Sequence, residues 1–146
     1  MRSDIVLVGQ APSRKSDPRN PLSGEPLASR LAALFGVARE EYLASFARFN
    51  VLDFWPGKKA KGDAWPIDLA KKSAAVMMPA LRGRRLIFLG RRAAQAFGFA
   101  AEYLAWKPFN GGSAAIVPHP SGVNRWWNSP DNKWRAEEFA RASCAE

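Results

Sequence analysis

Val6-Leu7-Val8-Gly9-Gln10-Ala11-Pro12-Ser13 reads as a buried strand, begun at Ile5, that breaks into a Gly/Pro/Ser turn carrying a polar side chain. Val117-Pro118-His119-Pro120-Ser121-Gly122-Val123-Asn124 repeats that design near the other end of the chain. In a parallel sheet such turns stand at the carboxyl ends of strands, where α/β proteins bind ligands. The first turn can hold Gln10 and the second His119, the only histidine, over one crevice.

Between these segments, strand and helix patterns alternate. Residues Ser13 to Pro26 form a loop made basic by Arg14, Lys15 and Arg19. Pro26 opens a helix with Leu27, Leu31, Leu34 and Phe35 at helical spacing, ended by Gly36. Glu40 to Arg48 follows as a second helix, then a strand over Phe49 to Phe54, stopped by Trp55-Pro56-Gly57. Lys58-Lys59-Ala60-Lys61-Gly62 is expected to be a mobile basic loop. Ile67 to Leu81 is helical by pattern, Arg85 to Leu89 a strand, and Gly90 turns into a helix through Ala93, Ala94, Ala96 and Phe97. Residues Ala101 to Asn110 fit no single pattern. Ala114 to Val117 is a last strand, Pro118 to Asp131 a loop, and Lys133 to Ala142 a closing helix. Such alternation predicts an α/β fold, three-layer α/β/α, whose central, mostly parallel sheet has about four strands. With no internal repeat or linker, residues 1–146 read as a single domain.

Composition narrows the function. The chain carries 22 Lys+Arg against 13 Asp+Glu, a net charge of +9, which suits a phosphate polymer through counterion release. The alternative is charge kept for solubility. Trp126, Trp127 and Trp134 stand among Arg125, Lys133 and Arg135, a mixture that can stack on bases and hold phosphates, or supply core aromatics. No apolar run approaches the ~20 residues of a membrane span. The start of the chain lacks a signal-peptide pattern, so a cytoplasmic location is expected. The single cysteine, Cys144, can form neither an internal disulfide nor a Cys-ligated cluster, and no metal or other cofactor is expected.

Five segments in order, over roughly Ile5 to Asn128, resemble the uracil-DNA glycosylase superfamily. Gly9-Gln10-Ala11-Pro12-Ser13 is similar to the first motif, nearest the G-E-A-P-G of the iron–sulfur subfamily and then the G-Q-D-P-Y of the classical enzymes. Pro21-Leu22-Ser23-Gly24-Glu25 with Leu31 resembles the P-F-x-G…L segment. Phe49-Asn50-Val51-Leu52 and Trp55-Pro56-Gly57 resemble the T-N-V-V…R-P-P strand and loop. Leu86-Ile87-Phe88-Leu89-Gly90 with Ala93-Ala94 resembles L-G-x-x-A-A, and His119-Pro120-Ser121 resembles the second catalytic motif, H-P-S.

The resemblance implies a monofunctional DNA glycosylase. A nucleotide is flipped into a pocket and its N-glycosidic bond is hydrolysed, leaving an abasic site. It also implies roles. His119 donates to the base oxygen where negative charge grows; otherwise it is a packing histidine. Asn50 reads the base edge; otherwise it satisfies a turn. Gln10 stands where the nearest subfamily has Glu, and Ala11 where the classical enzymes have Asp. A carboxamide positions water but supplies no negative charge, so a slower or more substrate-dependent enzyme is expected; otherwise Gln10 only supports the turn. Asp17, Asp53 and Asp63 are the carboxylates expected near the crevice.

Leu22 replaces the stacking aromatic, and Ser13 replaces the tyrosine that crowds the pyrimidine 5-position. The base-binding set is therefore Asn50, Ala11, Ser13 and Leu22, in a pocket open to 5-modified pyrimidines, bulky phage-type bases included. Pro12, Ser121, Asn124, Lys58 and Lys59 are expected to contact DNA, with Val123, Arg125 or Trp126 as the wedge that fills the gap. The partner is DNA, single- or double-stranded, bound by a monomer at a hole rimmed by positive charge. Two other readings stay open: a catalytically silent binder of nucleic acid or abasic sites, and a nucleotide-binding protein unrelated to repair.

Overall fold

A computed structural model describes residues 3–59, 62–121 and 124–145. Strand β1 (Ile5–Gly9) lies between β2 (Ala47–Asn50) and β5 (Arg85–Leu89); β7 (Gly112–Val117) and β6 (Lys107–Phe109) complete the sheet in the order β2-β1-β5-β7-β6. The first four strands run parallel and β6 is antiparallel to β7. Helices α1 (Leu27–Phe35), α2 (Arg39–Ser45), α3 (Ile67–Met77), α4 (Arg91–Ala96) and α5 (Pro130–Cys144) cover the two faces. Among the described residues no helix is long and apolar enough to cross a membrane.

The alternation of side chains along each strand divides the core in two. Val6, Val8, Leu86, Phe88, Ala114 and Ile116 pack with Ala70 and Ala74 of α3 and Ala93 and Ala94 of α4. Ile5, Leu7, Ile87, Leu89 and Val117 pack with Leu31 of α1, Tyr42 of α2, and Ala136 and Ala140 of α5. Burial on both faces is why β1 reads as an unbroken apolar run rather than an alternating one.

Among the described residues the sheet has five strands where about four were expected. Asn110 (φ 50°) and Gly111 (φ 76°) form a two-residue turn that folds Lys107–Phe109 back on β7, a conformation favoured by the Asn-Gly pair. The second helix stops at Ser45 and β2 begins at Ala47, earlier than the expected Phe49. Beyond Asn50 the pairing persists only as bonds from the Val51 and Leu52 amides to the Gly9 and Gln10 carbonyls, both 2.9 Å. Lys58–Lys59 is no loop: it pairs antiparallel with Gly62–Asp63 as β3 and β4. The third helix gives way to a 3-10 turn, Met78–Leu81, where Pro79 has no N–H to donate. Helix α5 starts three residues before the expected Lys133, with Pro130 in its first turn and the Ser129 hydroxyl accepting from the Asn132 amide at 3.3 Å. The preceding loop holds a 3-10 turn, Arg125–Asn128.

The loop between β1 and α1 is fastened by two side chains. Arg48 donates to the Asn20 side chain at 3.0 Å and to the Pro21 carbonyl at 2.8 Å. The fully buried Tyr42 donates its hydroxyl to the Leu22 carbonyl at 2.8 Å. Burial pushes the Tyr42 phenol well above its usual pKa, with the Arg48 cation opposing, so it remains a donor across the working range. Tyr42→Phe strands a buried carbonyl and is expected to cost about 1–2 kcal/mol in denaturant unfolding. An unchanged midpoint would show that the bond does not hold Leu22.

Candidate functional site

Strand β1 has β2 on one side and β5 on the other, so the chain reverses its direction of winding there. The carboxyl ends of these strands, with β7 beside β5, form the crevice such sheets use for ligands. Gly9 ends β1, Asn50 ends β2, Gly90 follows β5 and His119 follows β7. A cavity of about 240 Å³ opens between them. Ala11, Pro12 and Ser13 form one wall, Leu22 and Asn50 another, and His119, Pro120 and Ser121 a third. His119 and Asn50 thus line one cavity.

The floor requires glycine at two places. A Cβ on Gly9 would stand 2.6 Å from Asn50 Oδ1 and 2.7 Å from Leu22 Cδ2, so the Asn50 amide rests directly over the strand. Gly90 has φ +100°, and a Cβ there would meet His119 Cβ at 3.3 Å and Gln10 Nε2 at 3.4 Å. Gln10 is therefore held at the β1–β5 junction beside His119. It is not one of the residues walling the cavity.

Asn50 Oδ1 is buried and accepts no hydrogen bond from the described residues. Such an orphaned acceptor costs about 1–3 kcal/mol, which a ligand N–H recovers. His119 is set from its backbone. Its carbonyl accepts from the Ser121 amide at 2.9 Å, Asn124 Nδ2 at 3.1 Å and Trp127 Nε1 at 2.9 Å, between two buried prolines.

The remaining expected residues divide. Ser13 is exposed at the cavity edge, its hydroxyl bonded to that of Ser16. Leu22 is buried, with its backbone at φ 58°. Asn124 is engaged inside its own turn, its Oδ1 accepting from the Trp126 amide at 3.1 Å. Trp126 packs edge-on against Tyr103 at 5.9 Å and Trp127 at 4.9 Å, which holds its ring against the core, while Arg125 beside it is exposed. Lys58 and Lys59 are exposed on the β3–β4 hairpin. Val123, Gly122 and Lys61 lie outside the described residues.

Charge around the hole is mixed rather than uniformly positive. Arg30 of α1 lines it and donates to the Pro120 carbonyl at 3.3 Å, and Asp17 and Glu25 line it too. Asp17 was expected there; Asp53 is not on the wall. Bonds from Ser29 and Arg39 hold the Glu25 carboxyl below its usual pKa. Arg30 escapes a motif-based reading because it is brought in by the docking of α1, whereas Glu25 closes the Pro21–Glu25 segment just before that helix. Only the position of Arg30 near the first turn of α1 hints at it.

A search of curated proteins finds no match. A family model described as "Uracil DNA glycosylase superfamily" matches residues 1–142, nearly the whole chain. With the parallel sheet and the turns of both motifs meeting at one cavity, the chain belongs to the uracil-DNA glycosylase superfamily.

Proposed function

We propose that this chain is a monofunctional DNA glycosylase acting on uracil or a 5-modified pyrimidine. The observation that carries the reading is the buried, unsatisfied Oδ1 of Asn50, a residue that lines the same cavity as His119. An acceptor waiting there suits the ring N–H of a flipped pyrimidine, and the imidazole N–H suits the oxygen beside the glycosidic nitrogen. Water adds to C1′ while the C1′–N1 bond breaks, and the proton it loses passes through solvent to the departing base anion. The electron pair leaves with the base, whose oxyanion His119 stabilises. Gln10, at the junction beside His119, orients that water without the charge a carboxylate would add. Ser121, Arg125, Lys58 and Lys59 hold the phosphates; Trp126, packed on Tyr103 and Trp127, serves as a prop for that loop rather than a wedge.

The test is incubation with oligonucleotides that each carry one uracil, hypoxanthine or 5-modified pyrimidine, followed by alkali. Scission at the modified position supports the reading. Tight binding without scission on every base would favour the silent binder, a reading that Gln10 in place of a carboxylate supports. The open 5-position rests on Ser13, a small exposed side chain at the cavity edge. Ser13→Tyr is expected to abolish excision of 5-substituted bases while sparing uracil, compared by initial rates. Equal loss on both would refute the crowding argument.

A further inference from the structure

A second cavity, about 380 Å³, adjoins the first and shares Arg30, Pro120 and Ser121 with it. Neither Asn50 nor His119 lines it. Its outer wall is Trp127 from the 3-10 turn with Lys133 and Glu137 from α5. Trp127 is fixed in place: its Nε1 donates to the His119 carbonyl at 2.9 Å and Trp126 packs on it edge-on. Arg30 stands on the ridge between the cavities. A guanidinium carries five N–H donors, so its bond to the Pro120 carbonyl leaves capacity for a phosphate. A tethered indole lining the same cavity as Arg30 and Lys133 offers what a nucleotide requires: a surface for the base and charge for the phosphate.

Resting on the glycosylase reading, we propose that this second cavity holds the nucleotide next to the target in the same strand. Two neighbouring nucleotides then leave the stack together, with Arg30 clamping the phosphate between them. A paired neighbour would have to be unpaired as well, which adds to the cost of extrusion. The preferred substrate class is accordingly unpaired, single-stranded DNA.

Ala33 is exposed on α1 and lines the second cavity but not the first, so Ala33→Glu obstructs it and leaves the base hole intact. Glu137→Gln removes the acidic group on its wall. The probe is a labelled single-stranded oligonucleotide with a tetrahydrofuran abasic analogue, internal or at either terminus, followed by fluorescence anisotropy. Moving the analogue to one of the two termini is expected to weaken Kd about tenfold by removing the neighbour. Ala33→Glu should erase that difference, and Glu137→Gln should tighten binding of the internal probe about threefold. Misfolding cannot produce these opposite signs. Equal losses from either terminus, or a difference that survives Ala33→Glu, would overturn the proposal. The probe has no base to excise, so a chain that never cleaves still reports on the second cavity.

Discussion

His119→Ala is expected to lower single-turnover excision by about 10²–10³-fold, the usual loss when one preorganised oxyanion donor is removed. The loss should fall on the chemical step, with Kd for the same oligonucleotide little changed. The reason is the scaffold around the residue. Three N–H groups converge on the His119 carbonyl, and Pro118 and Pro120 on either side are buried, so the backbone is in position before any charge develops. Those three bonds are made to the backbone carbonyl, which remains when the imidazole is truncated. A histidine that served only packing would behave differently: the variant would lose thermal stability and keep its turnover.

Gly9→Ala is the second large effect, and it acts on Asn50 through one methyl group. Gly9 ends β1, an interior strand of the five-stranded sheet, paired to Asn50 in register, and its carbonyl accepts from the Val51 amide. The strand cannot retreat without breaking those bonds. The new Cβ, at 2.6 Å from Asn50 Oδ1 and 2.7 Å from Leu22 Cδ2, must instead displace both side chains. Overpacking of this kind costs about 1–3 kcal/mol. Excision should also fall at least as far as in Asn50→Ala, about tenfold or more from the loss of a buried polar contact to the base. Combining Gly9→Ala with Asn50→Ala should add little further loss of activity, because both act on one contact. Additive losses would place the damage elsewhere.

Much of this molecule is legible in the chain because its site is built from strand ends. An apolar run breaking at Gly9, another at Gly90 and a third at His119 announce where strands stop, and the parallel topology then gathers their ends. The Asn110-Gly111 hairpin is not legible, because the strand before it, Lys107–Phe109, is only three residues long and too short to carry a pattern. The early start of β2 was not legible, since Ala47-Arg48 carries no strand signature and gains its place by pairing with Val6 and Leu7. Long-range docking was invisible too. Arg30 reaches Pro120 across 90 residues, and Trp126 meets Tyr103 only once the turn folds over the sheet. In sequence Trp126 reads either as a wedge offered to DNA or as a core aromatic, and only the fold supplies its contacts with Tyr103 and Trp127.

Asn50 and His119 must meet the same base for this chemistry to work. The most direct measurement is an NMR titration of the isotope-labelled protein with free uracil, following the Asn50 side-chain amide and the His119 imidazole. The expected result is that both signals move along one binding curve, with the Asn50 amide lost from the curve in Gly9→Ala. Movement of one without the other, or of neither at saturating uracil, would contradict a shared base site.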